Sequence, residues 1–167
     1  MHLVLVSLAT LILTSAPSAP AHRAAPTLRV TDHRKVGSAP EWKTSAGINA
    51  TNTLHFAADL PATAPGHHRV TFFVYRPGGE PYTRLDVTYA VAVPRIPGEM
   101  ETEAVGQGVR VWAEMPVSGT PIEAYDLQGV WAARMVLDDA ATPVASMEFV
   151  LREPAAPKST GTLARNP

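Results

Sequence analysis

The 167-residue chain contains no cysteine. That absence excludes a disulfide framework, a thiolate nucleophile, a zinc ribbon, an iron–sulfur cluster and a lipid-modified N-terminal cysteine. The fold must then be held by its hydrophobic core alone. Charge is also scarce, at 17% of residues with a formal net charge of −1. Acidic and basic side chains are interspersed, so nothing here builds the field that nucleic acid or an anionic membrane surface would need. Apolar runs are short as well, and none approaches the roughly 20 residues that span a bilayer. The sequence therefore predicts a protein that is not integral to a membrane. No Gly-x-Ser-x-Gly elbow occurs, and Ser38, Ser45, Ser118, Ser146 and Ser159 fall in loops, tails or on a polar strand face. "VSGT", Val117 to Thr120, has no helical pattern after it and reads as a turn, so a hydrolase is not indicated and no catalytic residue is assigned.

What the chain does have is proline, 16 residues of it, and a great deal of two-residue alternation. Prolines scattered among short apolar segments indicate strands joined by loops. The first 21 residues stand apart. "LVLVSLATLIL", Leu3 to Leu13, followed by "TSAPSAPA", has the apolar region and small-residue cleavage region of a secretory signal peptide. Its leading segment departs from that pattern in carrying His2 and no Lys or Arg. Cleavage after Ala19-Pro20-Ala21 would leave His22 as the mature N-terminus, in a secreted or periplasmic protein. Residues 22–47 are expected to form a loosely structured arm, with "TLRV" able to add an edge strand. A β domain is expected over 48–153 and a flexible tail over 154–167. "NAT" at Asn49 matches the glycosylation triplet, a pattern common by chance.

Side chains alternate faces along a strand, so inward stripes can be read directly. "NTLHFAADL" puts Leu54, Phe56, Ala58 and Leu60 on one face, with His55 and Asp59 opposite. "RVTFFVYR" is apolar on both faces, as in a central strand, and Gly78-Gly79 follows as a turn. "TRLDVTYAVAV" directs Leu85, Val87, Tyr89, Val91 and Val93 inward. "VRVWAEMPV" sets Val109, Val111, Ala113, Met115 and Val117 against Arg110, Trp112 and Glu114. A closing hairpin is expected from "VWAARMVLD" and "VASMEFVLR", joined by "DDAATP". Trp131 belongs to its buried face.

Six to eight such strands without a helix of convincing period imply an all-β, antiparallel sandwich. In "LQGVW", Leu127-x-Gly129-x-Trp131 looks like the corner before the penultimate strand of immunoglobulin-like domains. The stretch from Val109 to Leu151, about a quarter of the chain, resembles the closing half of uncharacterised bacterial immunoglobulin-like modules. It departs from antibody domains in having no cysteine pair and no Trp between them. The resemblance implies an immunoglobulin-like β-sandwich and no chemistry.

Candidate sites are few. Glu99, Glu101 and Glu103 share one loop, which reads as a solvated tip or, less simply, as oxygen ligands for calcium. A mature N-terminal His22 could chelate copper(II) through its amine and imidazole, with a second histidine completing the set. The resemblance there is to exported copper carriers and copper-dependent polysaccharide monooxygenases, and it rests on His22 alone. His67-His68 are the adjacent candidates, with His33 and His55 behind them. Trp112, opposite its strand's apolar stripe, could face a ligand together with Tyr75, Tyr82 and Trp42, since exposed aromatics suit sugar rings and protein partners. A docked N-terminal arm would instead cover Trp112. The reading is thus an exported, non-enzymatic binding or structural module without cofactor, its partner a protein or a carbohydrate. Copper binding and carbohydrate binding are the alternatives.

Overall fold

A computed structural model describes residues 24–34, 39–61 and 63–153. Residues 1–21, expected as a signal segment, His22 and residues 154–167, expected as a tail, lie outside the described residues. The architecture is all-β, with two sheets packed on one core. Strands β1 (Thr27–Thr31), β3 (Thr53–Leu60), β7 (Gly108–Pro116) and β6 (Glu103–Val105) form one sheet in the order β1-β3-β7-β6. The other contains β2 (Ser45–Gly47), β9 (Ala145–Arg152), β8 (Gly129–Leu137), β4 (Gly66–Tyr75) and β5 (Pro81–Val91), in the order β2-β9-β8-β4-β5. Every ladder is antiparallel except β2 on β9.

The alternating stripes become the shared core. Leu54, Phe56, Ala58 and Leu60 of β3 and Val111, Ala113 and Met115 of β7 face Val70, Phe72 and Val74 of β4. From β8 and β9 come Trp131, Ala133, Met135, Phe149 and Leu151. Aromatic rings tie the layers together: Phe56 lies 6.2 Å from Phe72 and 5.7 Å, edge-on, from Phe149. Such pairs add about 0.5–1.5 kcal/mol each beyond area burial, in a core without disulfides.

The corner ahead of β8 combines a short helix, a glycine and a buried indole. A one-turn helix, α1 (Pro121–Ala124), follows the Ser118–Thr120 turn; Thr120 Oγ1 caps it by accepting the Ile122 N–H at 3.2 Å. Ile122 is fully buried beneath it. The chain then enters β8 through Gly129, at φ 127°, where a Cβ would stand 2.9 Å from the Pro77 ring. Only glycine fits both conditions. Two residues on, the Trp131 indole Nε1–H donates to the Leu127 carbonyl at 3.1 Å, closing the corner.

The segment expected as a loose arm is more ordered than its composition suggests. "TLRVT" pairs with β3 along all five residues, and Ser45–Gly47 joins the other sheet beside β9. Between them, the Lys43 N–H donates to the Val30 carbonyl and the Thr44 carbonyl accepts the Val150 N–H. Both sheets therefore begin before residue 48. The reason is non-local: each sheet has an edge whose backbone groups need partners, and this polar segment supplies them.

At the opposite side of the five-stranded sheet, β5 is an edge. Its far end is partly covered, because the Met100 N–H donates to the Thr88 carbonyl at 2.8 Å. No described helix is long and apolar enough to cross a membrane.

Candidate binding face

The two sheets present very different outer faces. On the four-stranded sheet, Trp112 of β7 is 2% exposed, although its position places it away from the core stripe. Trp42 covers it, the two rings stacked with centroids 6.0 Å apart. Guanidinium groups complete the layer: Arg110 lies 4.9 Å from the Trp42 ring, Arg29 5.1 Å from it, and Arg34 5.0 Å from Trp112. Arg110 is clamped to Asp59 by Nε at 2.5 Å and Nη2 at 3.0 Å. That hydrogen bonding raises the Arg110 pKa against the opposing effect of burial. The expectation of Trp112 as a ligand-facing aromatic is thereby corrected: the chain's own N-terminal segment already occupies that platform.

The outer face of the five-stranded sheet carries no such cover from the described residues. Thr71, Phe73 and Tyr75 project from β4, Arg84 and Asp86 from β5, and Arg134 and Val136 from β8. With Asp139, Ala140, Ala141 and Pro143 of the β8–β9 turn, most of these line a shallow depression of about 300 Å³. Arg134 lies over the Tyr75 ring at 4.8 Å and Arg84 over Phe73 at 5.7 Å. Arg84 is shared with Asp86, its Nη2 donating at 2.9 Å. Burial pushes the Asp86 carboxyl up, but hydrogen bonds from Arg84 and Thr71 outweigh it and hold it below its ordinary value. Arg134, in contrast, forms no ion pair with a described carboxylate, and its guanidinium lies against the Tyr75 ring.

Of the other aromatics singled out from sequence, Tyr75 belongs to this face and Tyr82 does not. Val74 pairs with Thr83 while Tyr75 pairs with Pro81, so Tyr82 is the extra residue of a β-bulge. The bulge re-aims its ring toward the core, where it meets Trp131 edge-on at 5.0 Å. Simple alternation has no means of anticipating that.

The histidines do not gather. His67 and His68, as successive residues at the start of β4, take different partners. The His67 Nδ1–H donates to Glu99 at 2.7 Å. Glu99 also accepts the Ile96 N–H at 2.8 Å, and that bond, with His67 adding to it, keeps its carboxyl below the ordinary range. His68 places Nδ1 2.9 Å from Asp138 and Nε2 2.9 Å from the Ala64 carbonyl. Both partners are acceptors, so the ring satisfies both only as an imidazolium. Its pKa is raised accordingly, chiefly by the Asp138 hydrogen bond. His55 sits 3.4 Å from Glu114, and the His33 Nδ1–H donates to the Asp32 carbonyl at 2.6 Å. Among the described residues, no three His, Asp or Glu side chains converge as metal ligands. Glu99 and Glu103 likewise go to separate partners, His67 and Arg34.

No known protein family matches this chain, and no curated protein matches it either. Among solved structures it is similar to Pseudomonas fluorescens alkylpurine DNA glycosylase AlkC bound to DNA containing an abasic site analog. The identity is 14% and the TM-score 0.38. The match covers 77% of this chain and 31% of that one.

Proposed function

We propose that this chain is an exported, non-enzymatic binding module of immunoglobulin-like topology, taking a protein partner on the outer face of its five-stranded sheet. The topology reading is supported by strand order. With β1, β3, β4, β5, β6, β7, β8 and β9 lettered A, B, C, C′, D, E, F and G, the sheets become ABED and GFC with C′ beside C. The aromatic that closes the corner at the start of F, here Trp131 with its bond to Leu127, accords with the same reading. Export is supported by the apolar run and small-residue segment at the N-terminus.

The observation that carries the binding reading is the asymmetry of the two outer faces. One is sealed by Trp42 and three arginines; the other leaves Phe73 and Tyr75 half-buried in an open depression. Half-buried aromatics on a rigid sheet offer contact area at low entropy cost. Arg134, which has no described carboxylate partner, supplies the charge to be met. The partner is accordingly an extended protein segment carrying carboxylates beside an apolar residue. Stacking of a sugar has less to rest on once Trp112 is covered, and the copper alternative depends on His22.

The test is selection of peptides from a random display library on the immobilised protein. Acidic, aromatic-containing sequences should emerge, and their affinity should fall about tenfold or more with Arg134→Glu, the size of one reversed charge contact. Glu41→Lys, on the sealed side, should leave binding unchanged. Selected peptides that bind Arg134→Glu as tightly as the parent would refute the assignment of this face.

A further inference from the structure

We propose that the β5 edge docks a second copy of this chain, the two β5 strands pairing antiparallel about a two-fold axis at Leu85. The first support is the backbone. The Met100 N–H reaches the Thr88 carbonyl, so the peptide groups of Thr88 point away from β4. Backbone direction alternates along a strand, so the N–H and C=O groups of Arg84 and Asp86 point the same way. Among the described residues no other segment of the chain takes them. These are the unpaired groups through which an edge strand recruits another strand.

The second support is the side chains, which choose both the partner and the register. An axis at Leu85 places Arg84 of one copy opposite Asp86 of the other, and does so twice. It also brings the two half-buried Leu85 side chains together at the non-hydrogen-bonded position, where strands approach most closely. Moving the axis to Arg84 would set arginine against arginine, and moving it to Asp86 would set aspartate against aspartate. Both are unfavourable for directly opposed residues. An axis between residues would face outward peptide groups with inward ones and break the ladder. Charges on an edge strand ordinarily guard it against pairing. Here the order Arg-Leu-Asp repels misaligned copies and complements the aligned one. Met100 limits the shared ladder to Thr83 through Val87, which makes this a weak, concentration-dependent dimer. Because Arg84 also lines the outer-face depression, pairing would set two depressions side by side on one ten-stranded surface.

Sedimentation equilibrium of the whole mature chain up to about 1 mM tests this, that being the concentration at which weak association becomes visible. A monomer–dimer equilibrium is expected. Arg84→Asp and Asp86→Arg alone should each weaken it by about tenfold or more, since each puts like charges opposite at both positions. Mixing the two single variants should restore association to within about threefold of the parent, because each variant then meets opposite charges in the other. The sites are exposed, and matching circular dichroism of the variants checks that they fold. A chain that stays monomeric throughout overturns the proposal. So does a dimer indifferent to both reversals, or variants that do not recover on mixing.

Discussion

Replacing Trp131 probes the corner and the core together, and the structure separates the two contributions. The side chain is fully buried, meets Tyr82 edge-on at 5.0 Å, stacks with Phe149 at 6.2 Å, and donates from Nε1 to the Leu127 carbonyl at 3.1 Å. Trp131→Phe keeps most of the apolar volume but removes the donor, leaving a carbonyl at a half-buried corner without its bond. That should cost about 0.5–1.5 kcal/mol, the net range for a hydrogen bond at a half-buried site. Trp131→Ala removes the ring as well and should cost about 3–5 kcal/mol, as for large aromatics deleted from cores. Domains of this size are stable by only about 5–15 kcal/mol, so the larger loss is a substantial share of the total. Urea melts followed by tryptophan fluorescence are well suited to both variants, since Trp42 and Trp112 remain as reporters on the other sheet. A cost below about 1 kcal/mol for Trp131→Ala would show that the core does not depend on this ring. A Trp131→Phe variant as stable as the parent would show that the hydrogen bond to Leu127 contributes nothing net.

Gly108→Ala should be severely destabilising despite the mildness of the change. The new Cβ would lie 1.9 Å from the Leu60 carbonyl oxygen, and backbone cannot rotate aside as a side chain can. A thermal melt should show a loss of about 1–3 kcal/mol or more, as in overpacked cores, and an unshifted midpoint would contradict the close approach of β7 to the end of β3. His68 gives a pH dependence of definite sign. Its folded pKa is raised above the ordinary 6.5, so its contribution is complete below that value and is lost as pH rises through the folded value. Asp138 works in the opposite sense: burial pushes its carboxyl up, but the bonds from the Arg69 N–H and His68 outweigh this, and its contribution fades as pH falls through the depressed value. Stability measured in urea between about pH 5.5 and 8.5 should decline with pH in the parent and flatten in His68→Gln; equal slopes would contradict the imidazolium assignment.

Much of the fold was legible because strand alternation is a local signal. The stripes Leu54-Phe56-Ala58-Leu60 and Trp131-Ala133-Met135 are buried as read. At the corner before β8, Gly129 answers to both a backbone angle and a neighbouring ring. What escaped was set by partners distant in sequence. Trp112 lies opposite its strand's stripe and looks exposed until Trp42, seventy residues earlier, stacks on it. Tyr82 needed knowledge of a bulge created by pairing with β4. His67 and His68 invite a metal reading as neighbours, yet Glu99 and Asp138 divide them across loops that no spacing rule connects. The candidate face emerged only when β4, β5 and β8 were assembled, since Phe73 and Tyr75 come from β4, Arg84 from β5 and Arg134 from β8, and they carry no shared motif.

The way β1 and β2 are used bears on where this polypeptide can be shortened. A fragment beginning at residue 48, the boundary that composition alone suggests, would lose a strand from each sheet and the indole that shields Trp112. It would bare two ladder edges and a large aromatic surface in a single cut. Such a fragment should collect in inclusion bodies, whereas one retaining residues from Ala24 onward should remain dispersed. The polar, proline-bearing stretch at the front of the domain should thus act as a solubility tag, already built in.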